Sequence, residues 1–318
     1  NIDEKRIAED GRIQTEINGQ SVDSRVSILP TIHGEKTVIR ILAKNDGNLN
    51  RKYLGINEHN NELINKIVQV PQGICLISGP TGSGKTTTLY TLLAEKNSPD
   101  TNIITIEDPV EIQIPGLNQV QVNVKAGMTF ASGLRSVLRQ DPDIVLVGEI
   151  RDGETAEIAM RAAITGHLVF STIHTNDAVS SINRLIDMGL EPYMVSSALV
   201  GVVSQRLVRR ICTSCRKSYD PDESEMTLIK LEPGQKLYKG EGCTDCNGSG
   251  YKGRIAIHEI VIISRKMKAL LERRASEDDM RKLAVEEGTQ MLKDSAAELV
   301  LEGITTMDEL KRVAYSID

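Results

Sequence analysis

The chain has 318 residues, with 38 Lys plus Arg against 44 Asp plus Glu and a formal net charge of −6. That length fits about two domains, and the mild acidity excludes a general coat for nucleic acid, whose affinity comes mainly from Lys and Arg on phosphates. An apolar share of 40 %, with 25 glycines and 10 prolines, excludes disorder and collagen.

Aromatic residues are 3 %, so the core is expected to rest on Ile, Leu, Val and Ala. No segment approaches the roughly 18–20 apolar residues that a membrane helix needs. The densest run, residues 198–203, is far shorter, and no membrane insertion is expected. The N-terminus carries neither a signal-peptide pattern nor an initiator Met. The chain is therefore read as a cytosolic protein or a piece of a longer one. Five cysteines are an odd number. In a reducing compartment, close cysteine pairs read as metal or redox sites before disulfides.

Residues 11–45 alternate in the manner of strands. Residues 12–17 alternate, Asn18-Gly19 reads as a hairpin turn, and residues 22–29 and 37–42 continue the pattern. This predicts a small antiparallel or α+β module over residues 1–50. Residues 45–50 are polar and turn-rich, a linker candidate. From about residue 58 short apolar runs alternate with helical patterns, at 73–78, 103–107, 143–147 and 168–172. Such runs predict an α/β domain over 51–318, with a parallel sheet covered on both faces. Residues 205–255 interrupt it and hold four of the five cysteines. From residue 263 onward short helices are predicted at 266–274, 276–287, 289–302 and 306–315. Ser276 and Asp279 resemble a capping box at the second of these.

Residues 79–86, Gly-Pro-Thr-Gly-Ser-Gly-Lys-Thr, match G-x-x-x-x-G-K-[ST] at every fixed position. An apolar strand precedes them and a helical pattern follows, the context a phosphate loop requires. Glycines let backbone N–H groups turn inward around phosphate oxygens, and the new helix adds its positive dipole end. Gly79, Thr81, Gly82, Ser83, Gly84, Lys85, Thr86 and Thr87 are the candidate nucleotide-binding residues. Lys85 would reach the β and γ phosphates of ATP, and Thr86 would ligate Mg²⁺.

Residues 143–147 form an apolar run that ends in Gly148-Glu149. Glu149 is expected to polarise the attacking water or to hold a magnesium-bound one. Residues 103–106 end in Glu107-Asp108, which should emerge on the same carboxyl edge of the sheet. Glu107 is a candidate catalytic acid and Asp108 a candidate nucleotide contact. His167 and His174 flank the run 168–172, and either imidazole is a candidate γ-phosphate contact.

Taken in order, the phosphate loop, Ile-Thr-Ile-Glu-Asp-Pro-Val-Glu at 104–111, Val-Gly-Glu-Ile-Arg-Asp at 147–152 and Gly-His-Leu-Val-Phe-Ser-Thr-Ile-His-Thr-Asn at 166–176 resemble the four boxes of the type II and type IV secretion ATPase superfamily. The chain is most similar to its pilus assembly and type II secretion branches. The resemblance runs from about residue 3 to the end. It implies a homo-hexameric ATP-hydrolysing motor, built from a small N-terminal domain and a RecA-like P-loop ATPase domain. It implies a partner too, the inner-membrane platform protein of a pilus or secretion machine, and a place at the cytoplasmic face of that membrane. In this family, arginines of the N-terminal domain close over ATP. Carried over by motif, these are Arg25 and Arg40, with Arg12 behind them, reaching either their own site or a neighbour's. A guanidinium offers phosphate oxygens a rigid fork of donors.

Cys212, Cys215, Cys243 and Cys246 form C-x₂-C…C-x₂-C. Four thiolates with no nearby His indicate a closed tetrahedral zinc site inside the 205–255 insertion, with no open catalytic position. The longer loop between the pairs adds only about 0.4 kcal/mol of closure entropy, against about 10–16 kcal/mol for structural zinc. The resemblance agrees, since assembly and secretion ATPases commonly carry this element and pilus retraction ATPases lack it. Cys75 reads as a small buried apolar residue.

The leading expectation is thus a motor for pilus assembly, with type II secretion as the alternative. A nucleic-acid translocase would need a basic or aromatic lining. Arg206, Arg209 and Arg210 cluster, but aromatics are few, and no nucleic-acid partner is expected. A nucleotide-binding scaffold without turnover would lack a catalytic acid, whereas Glu149 and Glu107 are present.

Overall fold

The structure is a computed structural model that describes residues 4–17, 20–42, 49–229, 231–232 and 234–314. Chain contacts divide it into two units with the boundary between residues 48 and 49. The first is a three-stranded antiparallel sheet of β1 (Glu9–Ile17), β2 (Gln20–Thr31) and β3 (Gly34–Leu42). The expected turn at Asn18-Gly19 and most of the 45–50 linker lie outside the described residues. The register sets Arg12 opposite Arg25, and Arg25 opposite Arg40. Three arginine positions therefore form one row across the strands.

The second unit opens with α1 (Glu58–Val68), β4 (Gly73–Ser78) and α2 (Lys85–Lys96). Next come β5 (Ile103–Glu107), β6 (Asn118–Gln121), α3 (Phe130–Val137), β7 (Ile144–Val147) and α4 (Gly153–Ile164). The chain goes on through β8 (Leu168–Ile173), α5 (Ala178–Asp187), α6 (Pro192–Ala198) and β9 (Leu199–Ile211). The cysteine lobe holds β10 (Arg216–Tyr219), α7 (Glu223–Ile229) and β11 (Leu237–Gly240). The rest is β12 (Tyr251–Ile262), α8 (Arg265–Glu272), α9 (Glu277–Glu286), α10 (Leu292–Leu301) and α11 (Met307–Ala314).

Seven strands form one sheet in the order β12-β9-β4-β8-β7-β5-β6. Every neighbouring pair is parallel except β12 with β9. Side chains alternate between the faces of a strand, and the core follows that rule. Ile74 and Leu76 of β4 pack into the cluster that includes residues of α4, α5, α6 and α8. Cys75 and Ile77 pack into the cluster with α1 and α2. Both faces are thus dry, which is why β4, β5, β7 and β8 read as continuous apolar runs. Cys75 is buried as expected, and burial pushes its thiol up to about 12.

Two parts of this layout differ from the sequence reading. Residues 205–211 and 251–255, assigned there to the insertion, are strand residues of β9 and β12. Charged residues at 206, 209 and 210 mask β9 in the sequence, because its second half leaves the two-sided core. The short edge strand β6 carries no continuous apolar run, since its residues are exposed or half-buried.

Most helices of this unit open on a side-chain cap, among them Asn57, Thr129, Asp152, Asp177, Ser264 and Ser276. Such caps satisfy N–H groups that have no partner inside the helix. Helix α2 differs. Its N-cap is Gly84, which offers no side-chain acceptor.

Candidate functional site

The phosphate loop leaves the carboxyl end of β4 and enters α2. Gly79 has φ +139° and Gly84 has φ +89°, in the region that favours glycine. The first N–H groups of α2 lack intrahelical partners by helix geometry, and Gly84 supplies no cap. A cradle of free N–H donors at a positive dipole end is the donor set that a phosphate fits. The Lys85 ammonium donates to the carbonyls of Gly79 at 2.9 Å and Pro80 at 3.0 Å. Burial lowers its pKa and the Glu149 carboxylate opposes that shift. Thr81 and Gly82 are exposed on the loop, Thr86 is half-buried, and Thr87 is exposed on the first turn of α2.

Sheet order fixes what faces this loop. β8 lies beside β4, and β7 lies beside β8. Glu149 follows β7, and His174 follows β8, so both emerge at the edge where the loop sits. The Arg151 guanidinium meets one Glu149 oxygen at 2.5 Å, and His174 Nε2 lies 3.6 Å from the other. The Glu149 side chain is only 12 % exposed. Partial burial and the Lys85 charge lower the His174 pKa, while Glu149 raises it. The imidazole is therefore held toward its neutral form. Thr86 and Glu149, a hydroxyl and a carboxylate, are the oxygen ligands that magnesium prefers.

Glu107 closes β5 and is buried. Its carboxylate accepts from the Tyr90 hydroxyl, from Thr105 Oγ1 at 2.6 Å and from Gln119 Nε2 at 3.2 Å. Tyr90 belongs to α2, so Glu107 ties the phosphate-loop helix to β5. Asp108 follows it and is exposed.

His167 is a correction. It precedes β8, whereas His174 follows it, and one strand has two ends. The Gly73 N–H donates to the His167 carbonyl at 3.0 Å, at the start of β4 and away from the loop. Its ring contacts the Ala162 carbonyl at 3.0 Å. A strand of this length separates the two histidines by about 20 Å. Within one chain His167 does not share the edge with Glu149.

The arginine cluster on β9 is engaged inside the unit. Arg206 Nη2 donates to the Asn176 carbonyl at 3.1 Å. Arg209 pairs with Glu309 at 2.8 Å and stacks on the Tyr251 ring at 3.9 Å. Arg206, with Arg312 of α11, also borders a cleft of about 260 Å³ beside residues 80–83 of the phosphate loop. Neither Arg312 nor Tyr90 is in a sequence motif. Arg206 is visible in the sequence only as one of a cluster, and the apolar run before it is the one signal that could have placed it on a strand.

The four expected cysteines come together. All four ligand sulfurs lie within 4.8 Å of one another. Cys212 to Cys243 and Cys215 to Cys246 are each 3.8 Å between sulfurs, and Cys243 to Cys246 is 3.7 Å. A tetrahedral zinc site with bonds of about 2.3 Å has sulfur–sulfur edges of about 3.8 Å. Backbone N–H groups point at the sulfurs as well: Gly242 at Cys215 and Gly250 at Cys246, both at 3.3 Å. These residues fit zinc, and they would hold it as a structural ion.

The family model described as "Type II/IV secretion system protein" matches residues 1–312 of this chain. The type II secretion system protein E of Pseudomonas aeruginosa is 49 % identical over 98 % of this chain and 62 % of its own length. The type IV pilus assembly ATPase PilB of Thermus thermophilus is 47 % identical over 98 % of this chain and 35 % of its own length. The chain thus spans less than two thirds of these curated relatives. Among solved structures, the pilus retraction motor PilT with bound ADP superposes with a TM-score of 0.70 at 27 % identity. That match covers 96 % of this chain and 77 % of the other.

Proposed function

Because the chain belongs to the type II/IV secretion system protein family, we propose that it hydrolyses ATP and works as the motor of such a machine. The observation that carries this reading is the edge just described. An uncapped helix N-terminus with Lys85 faces a carboxylate, Glu149, that an arginine holds at the end of β7, two strands along the sheet from β4.

Each residue then has a task. The N–H groups of Gly79 and of residues 81–87 bind and orient the phosphates, and Lys85 neutralises them. Thr86 and Glu149 would hold magnesium, which when bound offsets the charge that builds on the phosphate oxygens. Glu149 orients the attacking water and accepts its proton, with Arg151 and His174 fixing the carboxylate. Glu107 acts through Tyr90 to hold α2, and Asp108 stays a nucleotide contact. Arg25 and Arg40, in one cross-strand row with Arg12, supply positive charge to the γ-phosphate from the N-terminal module.

The rest of the proposal follows the family. The motor is a homo-hexamer at the cytoplasmic face of the inner membrane, acting on a platform protein. No described helix is long and apolar enough to cross a membrane. The sequence reading leaned to pilus assembly. Most of the relatives found are type II secretion proteins, at up to 49 % identity, with a pilus assembly ATPase among them at 47 %, so the pilus reading is not specifically favoured. The function proposed is therefore a type II secretion or type IV pilus assembly ATPase. The internal partners of Arg206 and Arg209 count against a nucleic-acid translocase.

The test is ATP hydrolysis against protein concentration, with mass read on the same samples by light scattering. A rate per chain that climbs as a hexamer assembles supports shared sites and a motor. A monomer with constant turnover per chain leaves a P-loop ATPase without neighbour arginines. No turnover at any concentration overturns the enzymatic reading.

A further inference from the structure

Gln205 lies on β9, outside every motif, and is 2 % exposed. Its amide nitrogen donates to the Ser83 carbonyl at 2.8 Å. Its amide oxygen accepts from the Thr88 hydroxyl at 2.7 Å. One side chain so joins β9 to the phosphate loop and to the first turns of α2. The fit is tight. A Cβ at Gly79 would lie 2.3 Å from the Gln205 carbonyl oxygen, and one at Gly84 would lie 2.8 Å from its amide nitrogen.

We infer that Gln205 is a positioning residue of the phosphate loop, setting the direction of the N–H groups that take a nucleotide's phosphates. The inference rests on the nucleotide reading above. Its physics is that of the trans peptide, in which C=O and the following N–H point opposite ways. Holding the Ser83 carbonyl toward β9 turns the Gly84 N–H away from β9. At Gly79 and Gly84 the β9 side is filled, since even a Cβ there meets Gln205. The face opposite is the one left for phosphate. Only a carboxamide does both jobs at this place: it donates to a carbonyl, which cannot donate back, and accepts from a hydroxyl. A carboxylate loses the donor, and a methionine of similar size loses both.

The strut reading, in which Gln205 only adds stability, predicts a lower melting temperature with unchanged nucleotide affinity. Binding of a fluorescent ADP analogue and the melting temperature of the free protein separate the two. In Gln205→Met one N–H to a charged phosphate is misaligned, so the dissociation constant should rise about tenfold or more. Turnover should show it mainly in KM, because the contact exists before the transition state. Gln205→Glu should bind as weakly. Thr88→Val keeps the bond to Ser83 but frees the amide to rotate and leaves its buried oxygen without a donor, so it should lower the melting temperature and weaken binding less than Gln205→Met.

If the wild type binds no nucleotide, it is the nucleotide reading that fails. Wild-type binding with equal affinity in Gln205→Met overturns the inference. Should Gln205→Met not fold, Thr88→Val decides, with binding measured well below its melting temperature: weaker binding supports it, and unchanged binding overturns it.

Discussion

The phosphate-loop edge and the cysteine lobe bind by opposite means. At the lobe, side chains would ligate directly, and two C-x₂-C turns a few residues long place all four sulfurs. At the edge, backbone N–H groups would do the binding, and side chains from other elements brace the loop and its surroundings. Tyr90 reaches Glu107, Gln205 reaches Ser83, and Arg206 reaches Asn176. A ligating cluster carries its support within itself, whereas a cradle of N–H groups borrows its support from the whole sheet. Damage to the lobe should therefore stay local, and damage to the sheet should reach the loop.

The largest expected effect tests the first half of that contrast. Structural zinc in small domains is worth about 10–16 kcal/mol. Cys243→Ser, or a strong chelator, should lower zinc from about one per chain to near zero. Hydrogen exchange should then rise sharply over β10 and β11 and hardly at all over β4 and β8. Nucleotide affinity should change less than about threefold, roughly 0.7 kcal/mol. Loss of nucleotide binding along with the metal would mean that β9 transmits the lobe's collapse to Ser83, and the two regions would not be separable. A zinc-free wild type that stays fully folded would remove the structural ion altogether.

The next effect is chemical. Glu149→Gln keeps the volume and a hydrogen-bonding oxygen at the strand end but removes the proton acceptor. Turnover should fall about 10²–10⁴-fold. ADP affinity should stay within a few-fold, because the N–H cradle is untouched. A fall in affinity as large as the fall in turnover would show that Glu149 holds the loop rather than the water.

The sequence disclosed these regions unequally, for the same reason. The cysteine quartet was fully legible, since ligand type and spacing are both local. The loop, Glu149 and the parallel sheet were legible because each is a short run ending in a distinctive residue. Gln205 was not. Its role depends on β9 passing beside β4, a pairing between residues more than a hundred apart in the chain. His167 was misplaced because its motif was read as a unit, although a residue that precedes a strand emerges at the opposite end from one that follows it. The arginine row at 12, 25 and 40 needed the register of three strands, while the sequence supplied only the arginines.

The smallest effect separates acid damage in the scaffold from acid damage in the lobe. His258 on β12 is 1 % exposed, and its Nε2 has no hydrogen-bond partner among the described residues. Burial lowers its pKa from 6.5 to about 4. Above pH 6.5 the imidazole is neutral whether the chain is folded or unfolded. Below that, the unfolded chain takes up a proton that the buried ring refuses until about pH 4. Stability is thus full above pH 6.5 and falls as pH drops through this window, by about 3 kcal/mol in all. Acid also weakens any thiolate metal site, since its ligands must be deprotonated to bind. His258→Leu removes the first effect and leaves the second. Denaturant unfolding at pH 7 and pH 5 should therefore show a smaller stability loss in His258→Leu than in wild type, with the same loss of zinc. An equal loss of stability in both would place the acid sensitivity in the lobe. The sheet that supports the loop would then be indifferent to pH over this range.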